Sequence, residues 1–90
     1  MIMGAVDLSQ VTFMLDGIIN DRTVPKNIRK VLEDSKSALT GNEKSEELKI
    51  STAIHLLDEI TNDPNMPLYA RTQIWNIVSM LEQIRKGLHG

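Results

Sequence analysis

The 90 residues of this chain carry 10 Lys and Arg against 12 Asp and Glu, and this slightly acidic balance weighs against a general nucleic-acid binder, which needs a basic surplus. The absence of cysteine excludes disulfides, thiolate zinc sites and thiol nucleophiles. No apolar run approaches the roughly 20 residues of a membrane-spanning helix, and residues 1–6 lack the basic flank of a signal peptide, so we expect one cytoplasmic domain over residues 1–90.

The first helix is predicted from about Leu8 to Ile19. Asp7 and Gln10 have the spacing of a capping box, in which two side chains satisfy free amides at a helix start. Apolar residues then recur every three or four positions, which places them on one helical face, and Asn20 ends the pattern. The predicted core positions of this helix are Leu8, Val11, Leu15 and Ile18.

A second helix follows after a short turn. Thr23 is the expected N-cap, and Pro25 is tolerated in the first turn because its missing amide would have no partner there. Gly41 is expected to end the helix in a left-handed conformation. The predicted core positions are Ile28, Leu32, Ser35 and Leu39.

The second half of the chain repeats this plan. A third helix precedes the turn at Asp63, Asn65 is the expected cap of the fourth helix, and that helix is predicted to end near Gly87. The predicted core positions are Ile50, Ala53, Leu57, Ile60, Ala70, Ile74, Ile77, Leu81 and Ile84.

The two halves are similar at an offset of 42 residues. Of the 32 positions in Leu8–Leu39, ten are identical to their counterparts in Ile50–Leu81, which indicates two copies of a helical hairpin, at about 7–40 and 43–87. We predict an all-α fold, an antiparallel four-helix bundle built from these duplicated hairpins. An open stack of HEAT-like helix pairs has a similar period, but such stacks generally need three or more repeats, so the closed bundle is favoured.

Each predicted turn carries an aspartate, and an arginine follows in the next helix. The pairs are Asp21 with Arg29 and Asp63 with Arg71. Such groups could serve as an acid, a base and an electrophile, but the constellation occurs twice, and a structural role in the turns explains both copies. We therefore expect a turn network, with no catalytic residue among these four.

Metal and cofactor motifs are absent from the sequence. His55 precedes Asp58 and Glu59 at helical spacing, yet there is no Glu-x-x-His motif of a diiron bundle. There is no glycine-rich phosphate loop, nucleophile elbow or zinc-hydrolase motif. We expect a protein that is not an enzyme and that binds no metal or cofactor.

The fourth helix differs from the second on its outer side. Leu68 and Trp75 are seven residues apart and lie away from the predicted core face, whereas their counterparts in the second helix are Lys26 and Glu33. Tyr69 stands beside them. Because tryptophan is enriched at interface hot spots, these residues are the predicted partner interface.

Phe13 also points away from the core, where the second repeat has His55. We include Phe13 in the predicted interface. The alternative is that Phe13 and Trp75 both pack under the N-terminal segment, residues 1–6, or under the ends of the chain. Gly17 is unusual inside a helix and is expected to allow close helix approach.

Two segments resemble the signature stretches of a small archaeal protein family that is classed as uncharacterised. They are Asp-Arg-Thr-Val-Pro at 21–25 and Asn-Asp-Pro-Asn-Met-Pro at 62–67, and the resemblance extends from about Leu8 to Ile84. It implies a four-helix bundle in an archaeal cytoplasm, with no established activity, cofactor or catalytic residue. The resemblance therefore transfers no function.

Two functional hypotheses follow from the sequence. The first is a non-enzymatic protein–protein interaction module that uses the fourth helix to bind another protein or a second copy of itself. The alternative is an accessory factor that binds RNA or the translation machinery through a basic patch. The patch would consist of Arg22, Lys26, Arg29 and Lys30.

Overall fold

Four helices account for the regular structure of the described chain. The computed structural model describes residues 8–42 and 44–89. In chain order the helices are α1 (Ser9–Ile19), α2 (Lys26–Thr40), α3 (Glu46–Ile60) and α4 (Leu68–His89). The predicted all-α class is confirmed, and α4 continues two residues beyond its predicted end.

The helices contact one another as a closed ring. Helix α1 packs against α2 and α4, and α3 packs against the same two helices. In the described residues no Cα atom of α1 lies within 8 Å of one in α3, and the same holds for α2 and α4. An open stack of two hairpins would place α1 against α3. The short connections favour antiparallel neighbours, and the contacts are therefore consistent with the predicted bundle, which measures 40 × 22 × 21 Å.

One hydrophobic core fills the bundle, and its positions recur along the chain. All the predicted core residues are buried except Leu8 and Ile84, which are half-buried. The buried residues of α1, the first turn and α2 each have a buried counterpart 42 positions later, although the duplication itself stays a prediction. The first set is Val11, Leu15, Ile18, Val24, Ile28, Leu32, Ser35 and Leu39.

The predicted N-caps of α2 and α4 are wrong. Helix α2 begins at Lys26 and α4 at Leu68, so Thr23 and Asn65 lie three residues before them, inside the turns. The N-cap position of α2 is taken by Pro25, which forms no side-chain cap. Neither residue is therefore at the N-cap position of its helix, and the amides of both donate to the preceding aspartates.

Of two other predicted helix ends, one is wrong and one is not described, and a further cap was not predicted. Gly41 has φ −70° and ψ 159°, an extended conformation, so the expected left-handed cap is wrong. The predicted capping box depends on Asp7, which lies outside the described residues. A cap that the sequence pattern did not reveal begins α3, where the Ser45 hydroxyl accepts a hydrogen bond from the Leu48 amide at 3.2 Å.

Candidate interaction surface

The outer side of α4 carries two large apolar side chains in contact with solvent. Leu68 is 73% exposed and Trp75 is 56% exposed. Successive helical residues are rotated by about 100°, so these two, seven apart, project within about 20° of each other. We call this pair the α4 outer stripe. Its counterparts on α2, Lys26 and Glu33, are also exposed but charged.

Phe13 and Tyr69 lie on a different surface. Together they line a groove between α1 and α4, whose other lining residues include Met14, Gly17 and Gln73. Phe13 is 78% exposed and Tyr69 is 46% exposed. Tyr69 directly follows the first residue of the α4 outer stripe, so it lies about 100° around the helix, towards α1. The predicted interface is thus divided into two surfaces, the α4 outer stripe and the α1/α4 groove.

The surroundings of Gly17 differ from the prediction. A Cβ atom built at this position meets nothing within 4 Å. No neighbouring helix therefore requires a glycine here, and the expected close approach is wrong within the described residues. The alternative cover for Phe13 and Trp75, residues 1–6, lies outside them.

The two turns are built by the same hydrogen bonds. In the first turn the amide and the hydroxyl of Thr23 donate to Oδ1 of Asp21, at 2.9 and 2.7 Å. In the second turn the amide of Asn65 donates to Oδ1 of Asp63 at 2.8 Å. Each aspartate is therefore engaged in holding its turn, in agreement with a structural role.

The hydrogen bonds of the first turn also affect the protonation of Asp21. The hydroxyl and amide of Thr23 lower the pKa of Asp21 below its ordinary value, with a smaller contribution from the positive charge of Arg29. The carboxylate of Asp21 is therefore ionised near neutral pH and serves as an acceptor. A proton donor for catalysis would need the opposite shift.

The two arginines bond to backbone oxygens in the turns. Arg29 donates from Nε to the backbone oxygen of Val24, and Arg71 donates from Nη2 to the backbone oxygen of Asp63, both at 3.1 Å. Nε of Arg71 is buried and has no hydrogen-bond partner among the described residues. The carboxylate of Asp63 instead accepts a bond from Asn27 at 3.1 Å, which joins the start of α2 to the second turn.

Part of the predicted basic patch is assembled by the structure. Lys26, Arg29 and Lys30 line one groove on α2, together with the acidic side chain of Glu33. Lys30 also forms an ion pair with Asp34 at 2.7 Å, and this hydrogen bond raises the pKa of Lys30. The fourth predicted member, Arg22, is exposed in the first turn.

The acidic and histidine side chains do not form a metal cluster in the described residues. Nε2 of His55 lies 3.7 Å from Oε2 of Glu59 in an exposed pair. In the part of the chain that the structure describes, no three His, Cys, Asp or Glu side chains are grouped to hold a metal ion. None of its helices has both the length and the apolar character needed to cross a bilayer.

A buried lysine was not predicted from the sequence. Lys49 is only 9% exposed, and its Nζ donates to the Gly41 carbonyl at 2.9 Å and pairs with Glu46 at 2.6 Å. Lysine is rarely buried unless it is paired, and the bond to Gly41 fastens the α2–α3 loop to α3. The only sequence signal was its place beside the core residue Ile50.

The fold and surfaces define a small all-α protein of four helices with two similar turns. The chain belongs to the Uncharacterised protein family (UPF0147), whose model matches residues 4–84. The resemblance stated from the sequence is thereby confirmed. The family has no known function, and neither a substrate nor a partner follows from membership.

Relatives and solved structures support both the family and the fold. The chain is 55% identical over 78 residues to the UPF0147 protein MJ1419 of Methanocaldococcus jannaschii, covering 87% of this chain and 84% of that one. A crystal structure of a UPF0147 protein from Thermoplasma acidophilum is 43% identical, with a TM-score of 0.81, and the match covers 86% of this chain and 91% of that one. The structure of the unknown-function protein MMP1188 has the same TM-score at 48% identity, covering 83% of this chain and 85% of that one.

Proposed function

We propose that this protein is a non-enzymatic interaction module that binds a partner protein through the α4 outer stripe. The observation that carries the proposal is the exposure of Leu68 and Trp75 on one side of α4, at positions where α2 carries charge. A large apolar side chain contributes favourable binding free energy when a partner removes it from water. The same face of α2 offers no such gain.

The position of the stripe suits binding. Helix α4 is fixed by buried side chains that pack against α1 and α3, so the outer residues are presented on a rigid element. A rigid surface loses less conformational entropy on association than a flexible loop does. Tryptophan contributes disproportionately to such interfaces.

Capture from native extract with charge variants tests the proposal. We expect a discrete partner to co-purify with the wild type and to be lost from the double variant Leu68→Glu, Trp75→Glu. The matched control is Leu48→Glu, because Leu48 is a 49% exposed leucine on α3. Circular dichroism checks that each variant keeps its helicity. No partner in any sample, or the same partner in all three, would contradict the proposal.

An enzymatic role has less support. The carboxylates that could act as acid and base, on Asp21 and Asp63, already accept hydrogen bonds from their own turns.

The cytoplasmic location expected from the sequence is part of the proposal and is tested by fractionating cells of the native host.

RNA binding is the second candidate, because the structure brings Lys26, Arg29 and Lys30 around one groove. Binding through these cations would displace counterions from phosphates, so the affinity should fall steeply between about 50 and about 300 mM salt. Fluorescence anisotropy with a labelled RNA measures this. An affinity that does not change with salt would exclude the basic groove.

A further inference from the structure

The α1/α4 groove combines a projecting side chain with an open space on one helix. Phe13 is 78% exposed, and a Cβ atom placed on Gly17, four residues later, would meet no atom of the described residues within 4 Å. Residues four apart lie on the same helical face. From this juxtaposition we infer that α1 packs antiparallel against α1 of a second copy, with Phe13 of each copy over Gly17 of the other.

Two-fold symmetry makes this contact self-complementary. In a symmetric dimer, if one residue contacts another across the interface, the reverse contact also forms. A phenylalanine and a glycine on the same face meet this condition, since each copy supplies both the projecting group and the space that receives it. The pattern fits a second copy of this chain better than a partner that lacks it.

The small number of charges on α1 also favours a second copy of this chain as the partner. Helix α1 has one charged side chain in 11 residues, whereas α2 has six in 15. The single charge, on Asp16, is paired with Lys36 at 2.7 Å. Two such faces can meet without repulsion between like charges, and the cores of protein interfaces are depleted of charged residues.

The described residues do not explain why a glycine stands at position 17. Glycine inside a helix costs about 1 kcal/mol relative to alanine. None of the described residues packs closely enough at Gly17 to require it. A second helix at this position supplies the reason, because the absence of a side chain lets the two helix axes approach.

The expected dimer is weak. A helix of 11 residues is about 16 Å long, so the interface belongs to the small class, below about 1,200 Å² in total. We expect dissociation in the micromolar range. The contact involves neither Leu68 nor Trp75, so it stands or fails independently of the proposed partner surface.

Sedimentation velocity over a concentration series tests the dimer. We expect the wild type to shift from monomer to dimer, and Phe13→Glu and Gly17→Leu each to weaken self-association at least tenfold. Leucine is a good helix former, and its Cβ atom at position 17 would meet no atom of the described residues within 4 Å, so this variant should fold. The matched control is His55→Glu, an exposed residue on α3 at the position corresponding to Phe13, which should dimerise as the wild type does.

Two results would overturn the inference. One is a wild type that remains monomeric at every concentration, which would leave the groove to residues 1–7 or to a different protein. The other is a wild type that dimerises while Phe13→Glu and Gly17→Leu dimerise equally well. Circular dichroism on the same samples verifies that both variants are folded.

Discussion

At the scale of single residues, the two turn aspartates have different numbers of partners. The hydrogen bonds that the structure gives the carboxylate of Asp21 both come from its own turn, from the amide and the hydroxyl of Thr23. Asp63 binds the amide of Asn65 and also the side chain of Asn27 at the start of α2. Asp63 therefore connects two parts of the bundle that are 36 residues apart in sequence.

Replacing Asp63 tests this connection. We expect Asp63→Ala to lower the free energy of unfolding by about 1 to 2 kcal/mol, because it removes the acceptor of a turn amide and of Asn27. Urea denaturation measures the change. Asn27→Ala, which removes only one of the two bonds, should cost less, and an unchanged stability of Asp63→Ala would show that the network does not hold the turn.

The pKa of Asp21 predicts a dependence of stability on pH. Because folding lowers this pKa, the contribution of the ionised carboxylate is present above the ordinary value of 3.8 and is lost as the pH falls through the lower folded-state value. Asp21→Asn retains an acceptor but removes the charge. We expect the stability difference between wild type and this variant to shrink as the pH falls below about 4. Urea midpoints over a pH series measure it, and a difference independent of pH would contradict the assignment.

At the scale of secondary-structure elements, the helices were predicted better than their ends. Hydrophobic spacing identified four helices and their buried faces because both depend on the same period of 3.6 residues. The caps were misplaced because threonine and asparagine are residue types that are common at N-caps. Thr23 and Asn65 instead lie inside the turns, where their amides donate to aspartates. The prediction for Gly41 was wrong for a related reason, since glycine permits a left-handed conformation but does not impose one.

The contributions of Ser45, which caps α3, and of Thr23, in the turn before α2, can be compared directly by mutation. Ser45→Ala removes a side-chain cap of α3 and should lower the free energy of unfolding by about 1 kcal/mol. Thr23→Ala keeps the backbone donor to Asp21 and should cost less than half as much. Thermal or urea denaturation ranks the two variants, and an equal or larger loss for Thr23→Ala would restore the cap that the sequence suggested.

The two exposed apolar surfaces could be distinguished only from the three-dimensional arrangement of the helices. The sequence showed that Leu68, Trp75, Phe13 and Tyr69 lie away from the predicted core. It could not show that Phe13 and Tyr69 line a common groove, because that depends on which helices are neighbours. It also could not show that no described residue packs within 4 Å of a Cβ atom at Gly17, because that depends on the same packing.

At the scale of the whole molecule, one core supports two exposed apolar surfaces. The ring of contacts buries one face of every helix, and Phe13 on α1 and Leu68 and Trp75 on α4 remain exposed outside the core. The bundle thus accounts for stability without the α4 outer stripe. Binding and folding should accordingly be separable by mutation.

Trp75 tests that separation. Because its side chain is 56% exposed, Trp75→Glu should change the free energy of unfolding by no more than about 0.5 kcal/mol and leave the helicity intact. Leu81→Ala, at a fully buried position of the same helix, should cost about 2 to 5 kcal/mol. Urea denaturation of both variants gives the comparison, and a large loss for Trp75→Glu would assign Trp75 to the folded core.

Site-specific photo-crosslinking in cells of the native host tests the central claim most directly. A photoreactive amino acid placed at position 75 should form one discrete crosslink to a partner protein, and the same group at position 48, an exposed leucine on α3, should not. Such a result would place the partner on the α4 outer stripe. The claim is contradicted if position 75 gives no crosslink, or if both positions give the same products.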